Sequence, residues 1–386
     1  MTRLAPLAGL APLAGLAPLA GLAPLAVLAA ALVATLFAGC EEFVRSKPRA
    51  VGATPEILVL ADSMTWKGAV GDALRQELAQ PIATLPNRQG AFKLVHRELD
   101  NYSWQQAQTA RAVVVAGLID DSTAVGRFLR ARIDPGGQQL LREGRARGVY
   151  VNPNLWARDQ IAVYMTAASA PALVREIETE GPALRAAFDT LAAAATFDNM
   201  YEKARQVEDE AALLDAHGWT LALQHDYVQV QDTTTTAGGL AGQFVRYRRV
   251  LSETWRDFFV FTADGVSELP EPERIDAVTN ELLERFAIGV YEDNYVQQDD
   301  RRALSQDTVA VGPYTAREQR GIWRMVGDLM AGPYVRYAFV DGDRLFVYYG
   351  MIYSPDRRLD KREFLRQMEV LGTTIRNGDD AVVPER

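Results

Sequence analysis

The chain has 386 residues and a formal net charge of −9, with 48% hydrophobic and 24% charged residues. This mixture is typical of a globular protein and excludes a collagen-like or intrinsically disordered chain. The acidic balance excludes a nucleic-acid-binding surface that covers the whole protein. A single cysteine, Cys40, excludes an intrachain disulfide bond and a cysteine-based zinc site.

The first forty residues predict secretion and lipid attachment. The hexapeptide LAPLAG occurs three times in residues 4–21, within an uncharged stretch that ends at Gly39. Small residues then precede Cys40, as in a bacterial lipoprotein signal peptide. The thiol of Cys40 is the nucleophile that would take the diacylglycerol group and become the mature N-terminus. We therefore expect a protein anchored by lipid to a membrane of the cell envelope, at the outer membrane and outside the cytoplasm.

An uncleaved transmembrane helix is the alternative for this stretch, since its apolar length could span a bilayer. Proline recurs every six residues, at positions 6, 12, 18 and 24. Each proline would break or kink a helix, and a bilayer offers the freed carbonyl groups no partner. The pattern therefore favours a signal peptide, and both interpretations place the protein at a membrane.

Strands that alternate with helices predict an α/β layer in the first half of the mature chain. A helix is expected over residues 69–78, where Val70, Leu74 and Leu78 recur every four residues. Further helices are expected at 123–132 and 138–147, and then over 171–217 with a division at Gly181-Pro182. Strands are expected at residues 56–61, 92–99, 112–117, 149–152 and 160–166.

The second half predicts a sheet with a few helices. Residues 232–242, with four threonines and three glycines, are interpreted as a flexible connection. Asp341-Gly342 is a hairpin-turn signal, and helices are expected at 272–286 and 361–375. Strands are expected at residues 219–223, 227–231, 243–250, 258–262, 321–326, 334–340 and 344–353.

The predicted fold class is therefore α+β or α/β, with two mixed sheet-and-helix domains joined by a long helical segment. The expected divisions are a signal peptide at 1–39, a lipid-anchored tether at 40–55, an N-terminal domain at 56–217, a C-terminal domain at 218–378 and a flexible tail at 379–386.

Several short motifs occur in a characteristic order. They are Asp62-Ser63-Met64-Thr65-Trp66, Trp156-Ala157-Arg158-Asp159-Gln160, Arg320-Gly321-Ile322-Trp323, Met330-Ala331-Gly332-Pro333-Tyr334, Tyr353-Ser354-Pro355, and Lys361-Arg362 with Leu365-Arg366. This order resembles the domain of unknown function 4837 family, uncharacterised lipoproteins of Bacteroidota-type bacteria, over about residues 55–376. The chain departs from the family at Ala331, where glycine is usual. The resemblance implies a location in the cell envelope and a fold, but no activity. The second domain alone is also similar to PsbP-like domains, which implies a binding or assembly module.

No complete catalytic or metal-binding motif is present. The three histidines, His96, His217 and His225, form no HExxH pattern, and the chain has neither a Gly-x-Ser-x-Gly elbow nor a Walker loop. We therefore predict no catalytic residue, no metal and no cofactor.

Asp62 and Trp66 form the first candidate ligand site, because they follow the first strand and ligands of α/β sheets favour the carboxyl ends of strands. The alternative is structural: Asp62 or Ser63 caps the next helix, and Trp66 packs under it.

Arg320 and Trp323 form the second candidate, together with Glu318. The guanidinium of Arg320 could hold a ligand carboxylate in a fork. The alternative is an internal pair of Arg320 with Glu318, with Trp323 in the core.

Arg246 and Arg248 form the third candidate, a basic strand that could meet lipid headgroups or an acidic partner. Strand alternation places them on one face and Tyr247 and Arg249 on the other. The alternative is an ordinary solvated sheet face.

The leading functional hypothesis is non-catalytic binding or assembly at the outer membrane. The expected partners are the membrane, through the lipid anchor, and an envelope protein, but no nucleic acid. Two alternatives stay open: an envelope hydrolase that acts on cell-wall or polysaccharide material, and a structural lipoprotein that bridges partners. An exposed apolar or aromatic patch would favour a protein partner, whereas converging carboxylates in a cleft would favour the enzyme.

Overall fold

A computed structural model of the protein describes residues 46–85, 89–252, 254–291, 293–356 and 358–378. The predicted signal peptide, Cys40 and the predicted tail therefore lie outside the described residues. Two large sheets with helices against them organise the described part of the chain. This architecture confirms the predicted mixed α/β class. The chain from Arg49 onward forms one compact unit.

The first sheet has five strands, in the order β2-β1-β3-β5-β4. Its strands are β1 (Glu56–Leu60), β2 (Lys93–Arg97), β3 (Ala112–Leu118), β4 (Val149–Pro153) and β5 (Ile161–Ala167). Only β4 runs antiparallel to its neighbour in this sheet. β1 and β3 lie inside the sheet and are buried on both faces, which explains their continuous apolar sequences.

Six helices accompany the first sheet. They are α1 (Ser63–Lys67), α2 (Ala69–Leu78), α3 (Asn101–Thr109), α4 (Ala124–Arg130), α5 (Pro135–Arg142) and α6 (Ala170–Tyr201). The predicted division of α6 at Gly181-Pro182 is wrong, since the helix continues through the proline. A Cβ at Gly181 would lie 2.5 Å from Glu77 Oε2, so α2 and α6 approach closely there. This packing offsets the hydrogen bond that Pro182 removes.

The second sheet has eight strands. Seven of them lie in the order β10-β12-β13-β14-β9-β8-β7, and β11 pairs with residues 314–320 of β12, on the same side as β10. Its strands are β7 (Val228–Ala237), β8 (Leu240–Val250), β9 (Trp255–Asp264), β10 (Val296–Gln298), β11 (Ser305–Val311), β12 (Tyr314–Met325), β13 (Ala331–Asp341) and β14 (Arg344–Tyr353). Three helices accompany it: α7 (Val207–His217), α8 (Pro272–Phe286) and α9 (Lys361–Thr373). β6 (Trp219–Thr220) and β15 (Arg376–Asn377) form a small separate pair.

The prediction of a flexible connection at residues 232–242 is wrong, because these residues form a β-hairpin. They form the end of β7, a two-residue turn and the start of β8, with Ala237 paired to Leu240. Gly238 and Gly239 have φ angles of +54° and +72°, the left-handed conformation that this kind of turn requires. Threonine favours strands, so the threonine run extends the sheet. The hairpin predicted from Asp341-Gly342 is confirmed between β13 and β14, with Gly342 and Asp343 as its two turn residues.

The eight-stranded sheet has two contrasting faces. On the α8 face, Phe244, Phe259 and Tyr349 pack with residues of α8. On the α9 face, Tyr247 and Tyr348 pack with residues of α9. Met200 of α6 joins the core on the α9 face, and α6 also contacts α9 directly. The N-terminal half of the chain therefore helps to close the α9 face.

Within the described residues, none of the helices combines the length and apolar character needed to cross a membrane.

Candidate functional site

A cavity of about 260 Å³ opens on the α8 face, beyond the C-terminal end of α8. We call it the Trp–Met pocket. Its walls are mostly apolar and come from β8, β9, β10, β12 and β14 and from two connecting segments. The aromatic and methionine residues in its lining are Trp255, Trp323, Met325, Met330, Met351 and Tyr353. Methionine side chains are flexible and polarizable, so such walls adapt to different apolar shapes.

Trp323 is the buried anchor of the pocket. Its indole Nε1 donates a hydrogen bond to the carbonyl of Ile352 at 3.0 Å. Gly332 lies opposite Trp323 in the strand pair of β12 and β13. A Cβ at Gly332 would lie 2.0 Å from Ile352 O, so only glycine permits this close approach. The tryptophan is therefore held rigidly in the pocket wall.

Arg246, Arg248 and Asp257 form the polar end of the pocket. The Nε and Nη2 groups of Arg246 donate to the two carboxylate oxygens of Asp257, both at 2.7 Å. The remaining Nη1 of Arg246 donates to the carbonyl of Phe286, at the C-terminal end of α8. Arg248 Nε donates to Asp257 Oδ2 at 2.7 Å. Two guanidinium groups therefore share one carboxylate, which leaves a local charge of +1 in this triad.

The two arginines differ in exposure, and the difference assigns them different roles. The Arg246 side chain is 7% exposed, and the bonds just described use each of its three nitrogens. The Arg248 side chain is 35% exposed, and the only bond that the described residues show for it uses Nε. The terminal amino groups of Arg248 can therefore meet a carboxylate brought by a ligand.

An exposed apolar rim surrounds the pocket. Val290 is 94% exposed and Leu329 is fully exposed, and Ile288 and Trp255 add to the same surface. Val290, Ile288 and Trp255 line the pocket, and so do Asp328 and Met330, the chain neighbours of Leu329. Grouped apolar exposure of this kind marks an interaction surface, whereas isolated exposed apolar residues are ordinary.

Arg320 and Trp323 do not form one site, although the sequence suggested that they would. Residues three apart on a strand face opposite sides of the sheet, so Trp323 faces α8 and Arg320 faces α9. Arg320 donates to both carboxylate oxygens of Glu318, at 2.7 and 2.8 Å, and also to Glu369. The structure thus shows the internal Arg320–Glu318 pair that was the alternative.

A buried ion-pair network surrounds Glu369 on the α9 face. Arg362 donates to both oxygens of Glu369 at 3.1 Å, and Arg366 donates to Asp189 of α6 at 3.0 Å. Burial alone would raise the pKa of Glu369, but the charges of Arg320, Arg362 and Arg366 attract its ionised form and lower the pKa to about 2. The network therefore joins the two halves of the chain.

Asp62 and Trp66 lie just after β1 of the five-stranded sheet, apart from the Trp–Met pocket. Asp62 directly precedes α1, and Trp66 belongs to α1. Asp62 caps α1, with Oδ1 accepting from the backbone N–H groups of Met64 and Thr65 at 3.0 and 2.9 Å. Burial opposes ionisation of Asp62, yet the hydrogen bonds from Thr65 and Met64 lower its pKa below the ordinary value. Trp66 stacks on His96, with ring centroids 4.8 Å apart. Both residues are thus engaged locally.

The described lining of the pocket is poor in carboxylates. Its carboxylates among the described residues are Asp257, held by two arginines, and Asp328 at the rim. In the part of the chain that the structure describes, no group of three or more histidine, cysteine, aspartate or glutamate residues could hold a metal ion. What converges is an apolar wall and a guanidinium, a combination that holds an apolar group beside an anionic one.

Sequence reasoning missed most of the pocket. Ile288, Val290, Met325, Met330 and Met351 carry no periodic signal, because they come from separate strands and connections. Only the sheet order brings them together. The available clue was the group of three methionines in residues 325–351, close to the aromatic residues of the predicted strands.

Residues 206–374 match the family model described as Domain of unknown function (DUF4837). This part of the chain belongs to that family. The DUF4837 domain contains α7 to α9, the whole eight-stranded sheet and the Trp–Met pocket. Residues 50–201 match a second family model, Domain of unknown function (DUF8532), so the DUF4837 match is narrower than the expected 55–376. Neither match concerns a PsbP-like domain, and that resemblance stays a prediction. No curated protein matches the chain.

Proposed function

We propose that this protein is a lipid-anchored component of the cell envelope that binds a partner protein without catalysing a reaction. The Trp–Met pocket is its binding site. The partner presents large apolar side chains to the pocket and a carboxylate to Arg248. The observation that carries the proposal is the exposed apolar rim around an apolar pocket whose polar end holds Arg248, a partly exposed guanidinium that, among the described residues, donates to Asp257 through Nε alone.

The chemistry of the pocket defines this partner. An apolar side chain that enters the pocket displaces water from the Trp323 and methionine walls, which is favourable in proportion to the apolar area buried. A carboxylate beside that side chain would accept hydrogen bonds from the terminal amino groups of Arg248. It would also neutralise the one excess positive charge of the triad of Arg246, Arg248 and Asp257. An acidic amphipathic segment of an envelope protein meets both requirements.

The test is site-specific photocrosslinking in intact cells, followed by purification and mass spectrometry. A photoreactive residue at Val290 should yield a stoichiometric crosslink to one envelope protein. The matched control places the same residue at Tyr102, which is 67% exposed on the N-terminal half. The crosslink from position 290 should disappear when Leu329→Asp or Arg248→Glu is added. Equal products from positions 290 and 102, or a crosslink that survives both substitutions, would overturn the proposal.

The anchor has its own test. The sequence up to Cys40 supports lipid attachment, so Cys40→Ser should leave an unprocessed and unlipidated precursor. Normal maturation of Cys40→Ser would overturn this part of the proposal, whatever the crosslinking shows.

A further inference from the structure

β7 is an end strand of the eight-stranded sheet, and among the described residues only β8 pairs with it. It is ten residues long. An end strand exposes N–H and C=O groups that can pair with another chain, and proteins normally block such edges with short length, charge, proline or a covering segment.

The other sheet ends in the described residues are blocked in these ways, except that residues 305–308 of β11 stay exposed. β2 has five residues and carries Lys93, Arg97 and His96, and β4 has five residues and ends in Pro153. β10 has three residues. β11 is covered in part, because its Val309 and Ala310 line a cleft against Ile82 and Ala91 of the N-terminal half.

The turn after β7 determines which of its backbone groups point outward. Ala237 and Leu240 flank a two-residue turn, so they form a hydrogen-bonded pair. Alternation along an antiparallel pair then directs the N–H and C=O groups of Thr236, Thr234 and Asp232 away from β8. The contact of Arg285 Nη1 with the carbonyl of Thr236, at 3.1 Å, agrees with this direction.

The outer half of β7 carries one block, the Arg285 side chain at the Thr236 carbonyl, and its own sequence adds no other. Residues 231–237 read QDTTTTA and contain no lysine, arginine, proline or glycine. The one charge, Asp232, is engaged with His217 at 3.0 Å and with Gln243 at 2.5 Å. A β-bulge at residues 229–231 interrupts only the first part of the strand.

We propose that the β7 edge pairs with the same edge of a second copy of this chain. Antiparallel pairing about a two-fold axis at Thr234 places Thr234 opposite Thr234 and Asp232 opposite Thr236 of the second copy. The outward groups then meet each other, so about four backbone hydrogen bonds join the copies while Arg285 holds the Thr236 carbonyl, and about six once Arg285 releases it.

A second copy of this chain is the partner that the sequence of β7 favours. In the proposed register no aspartate faces its own copy, so like charges are not opposed. Threonine side chains lie opposite one another, and such cross-strand pairs stabilise sheets. A two-fold pairing also occupies the β7 edge of both copies, so no β7 edge is left for a third copy and the assembly is a dimer.

The first experiment introduces a cysteine at the two-fold axis. Thr234→Cys places two thiols on directly opposite residues, about 5.5 Å apart between Cα atoms, which is within disulfide range. The full-length variant should form a disulfide-linked dimer under mild oxidation. The control is Thr308→Cys, an exposed threonine on the edge strand at the opposite end of the same sheet. Cross-linking of Thr234→Cys that does not exceed that of Thr308→Cys or of the wild type would overturn the proposal, and so would a crosslink to a different protein.

The second experiment measures mass in solution by light scattering. The full-length wild-type protein should be a dimer at high micromolar concentration. Thr234→Pro removes one outward N–H group, at an edge position where proline is tolerated, and should give a folded monomer with unchanged circular dichroism. A monomeric wild type, or a folded Thr234→Pro variant that is still dimeric, would overturn the proposal.

Discussion

The two faces of the eight-stranded sheet place arginine and acidic residues in opposite situations. On the α9 face, Arg362 and Arg366 are buried, and their carboxylate partners include Asp189 from the N-terminal half. On the α8 face, Arg248 is partly exposed at the end of an apolar pocket. The chain satisfies the charges of one face internally and leaves the other face with a guanidinium and an apolar rim that a partner could cover.

The contrast shows why a charged motif in a sequence does not identify a binding site. Arg320 and Arg248 both lie on strands that also contain aromatic residues. Arg320, however, donates to two glutamates, Glu318 and Glu369, whereas Arg248 donates to Asp257 through Nε alone among the described residues. Burial of a paired charge offers modest net stability, whereas removal of one partner from such a pair is costly. We therefore expect substitutions on the α9 face to affect stability and substitutions on the α8 rim to affect binding.

The largest expected effect is that of Glu369→Ala. It leaves the guanidinium groups of Arg320 and Arg362 without their shared carboxylate, so the free energy of unfolding should fall by about 3–5 kcal/mol. Chemical denaturation measures the change. The control is Glu284→Ala on an exposed position of α8, which should change it by less than about 0.5 kcal/mol. Equal effects of the two substitutions would contradict the assigned role of the network.

The next effect concerns acid stability. The pKa of Glu369 is about 2 in the folded protein, below the ordinary 4.5. Between pH 4.5 and pH 2, Glu369 is therefore protonated in the unfolded chain but still ionised in the folded protein. The stabilisation that its ionised form provides above pH 4.5 is lost as the pH falls toward 2. The loss amounts to about 3 kcal/mol. Unfolding measured from pH 7 down to pH 3 should show a shallower decline for Glu369→Gln than for the wild type. Parallel curves would contradict the account.

A smaller effect on stability is expected for Arg248→Met. Asp257 keeps both bonds to Arg246, and the exposed Arg248 pair is screened by solvent. The free energy of unfolding should fall by about 1 kcal/mol or less. Removal of Arg246 instead would remove the hydrogen bonds to the Phe286 carbonyl and to both oxygens of Asp257, leaving Asp257 with Arg248 alone, so Arg246→Met should be clearly more destabilising. The same denaturation experiment compares the two variants, and a reversed order would show that their roles are misassigned.

The smallest effect on stability is expected for Val290→Asp. The side chain is almost fully exposed, so the melting temperature of the purified protein should be nearly unchanged, with less than about 0.5 kcal/mol lost. Capture of the envelope partner should nevertheless be abolished, because a carboxylate at the rim opposes burial of apolar groups. A marked loss of stability would mean that Val290 serves the fold and not an interface.

The sequence predicted the elements of the fold well where local signals were strong. The helices predicted at residues 69–78 and 272–286 match α2 and α8. Apolar spacing defines both locally, and a proline at the first turn also marks the start of α8. It failed for residues 232–242 and for Gly181-Pro182. There, sheet pairing with β8 and contact with Glu77 override local propensity, and neither is visible in a single sequence.

The candidate site was predicted only in part. Arg246, Arg248 and Trp323 were selected for their chemistry, and the structure brings all three to one pocket. Arg320 was selected on the same grounds, but strand alternation places it on the opposite face. The methionine walls and the rim depend on strand order, which one sequence does not reveal. Asp62 was correctly given a structural alternative, since an aspartate before a helix is a common N-cap.

The most direct measurement compares carbene footprinting of the protein in intact cells with footprinting of the purified protein. The account predicts that Val290 and Leu329 are strongly labelled in the purified protein and protected in cells. Met64 and Tyr102, exposed on the N-terminal half, serve as controls that should be labelled equally in both. Equal labelling of Val290 and Leu329 in the two settings would contradict the claim that the α8 face binds an envelope partner.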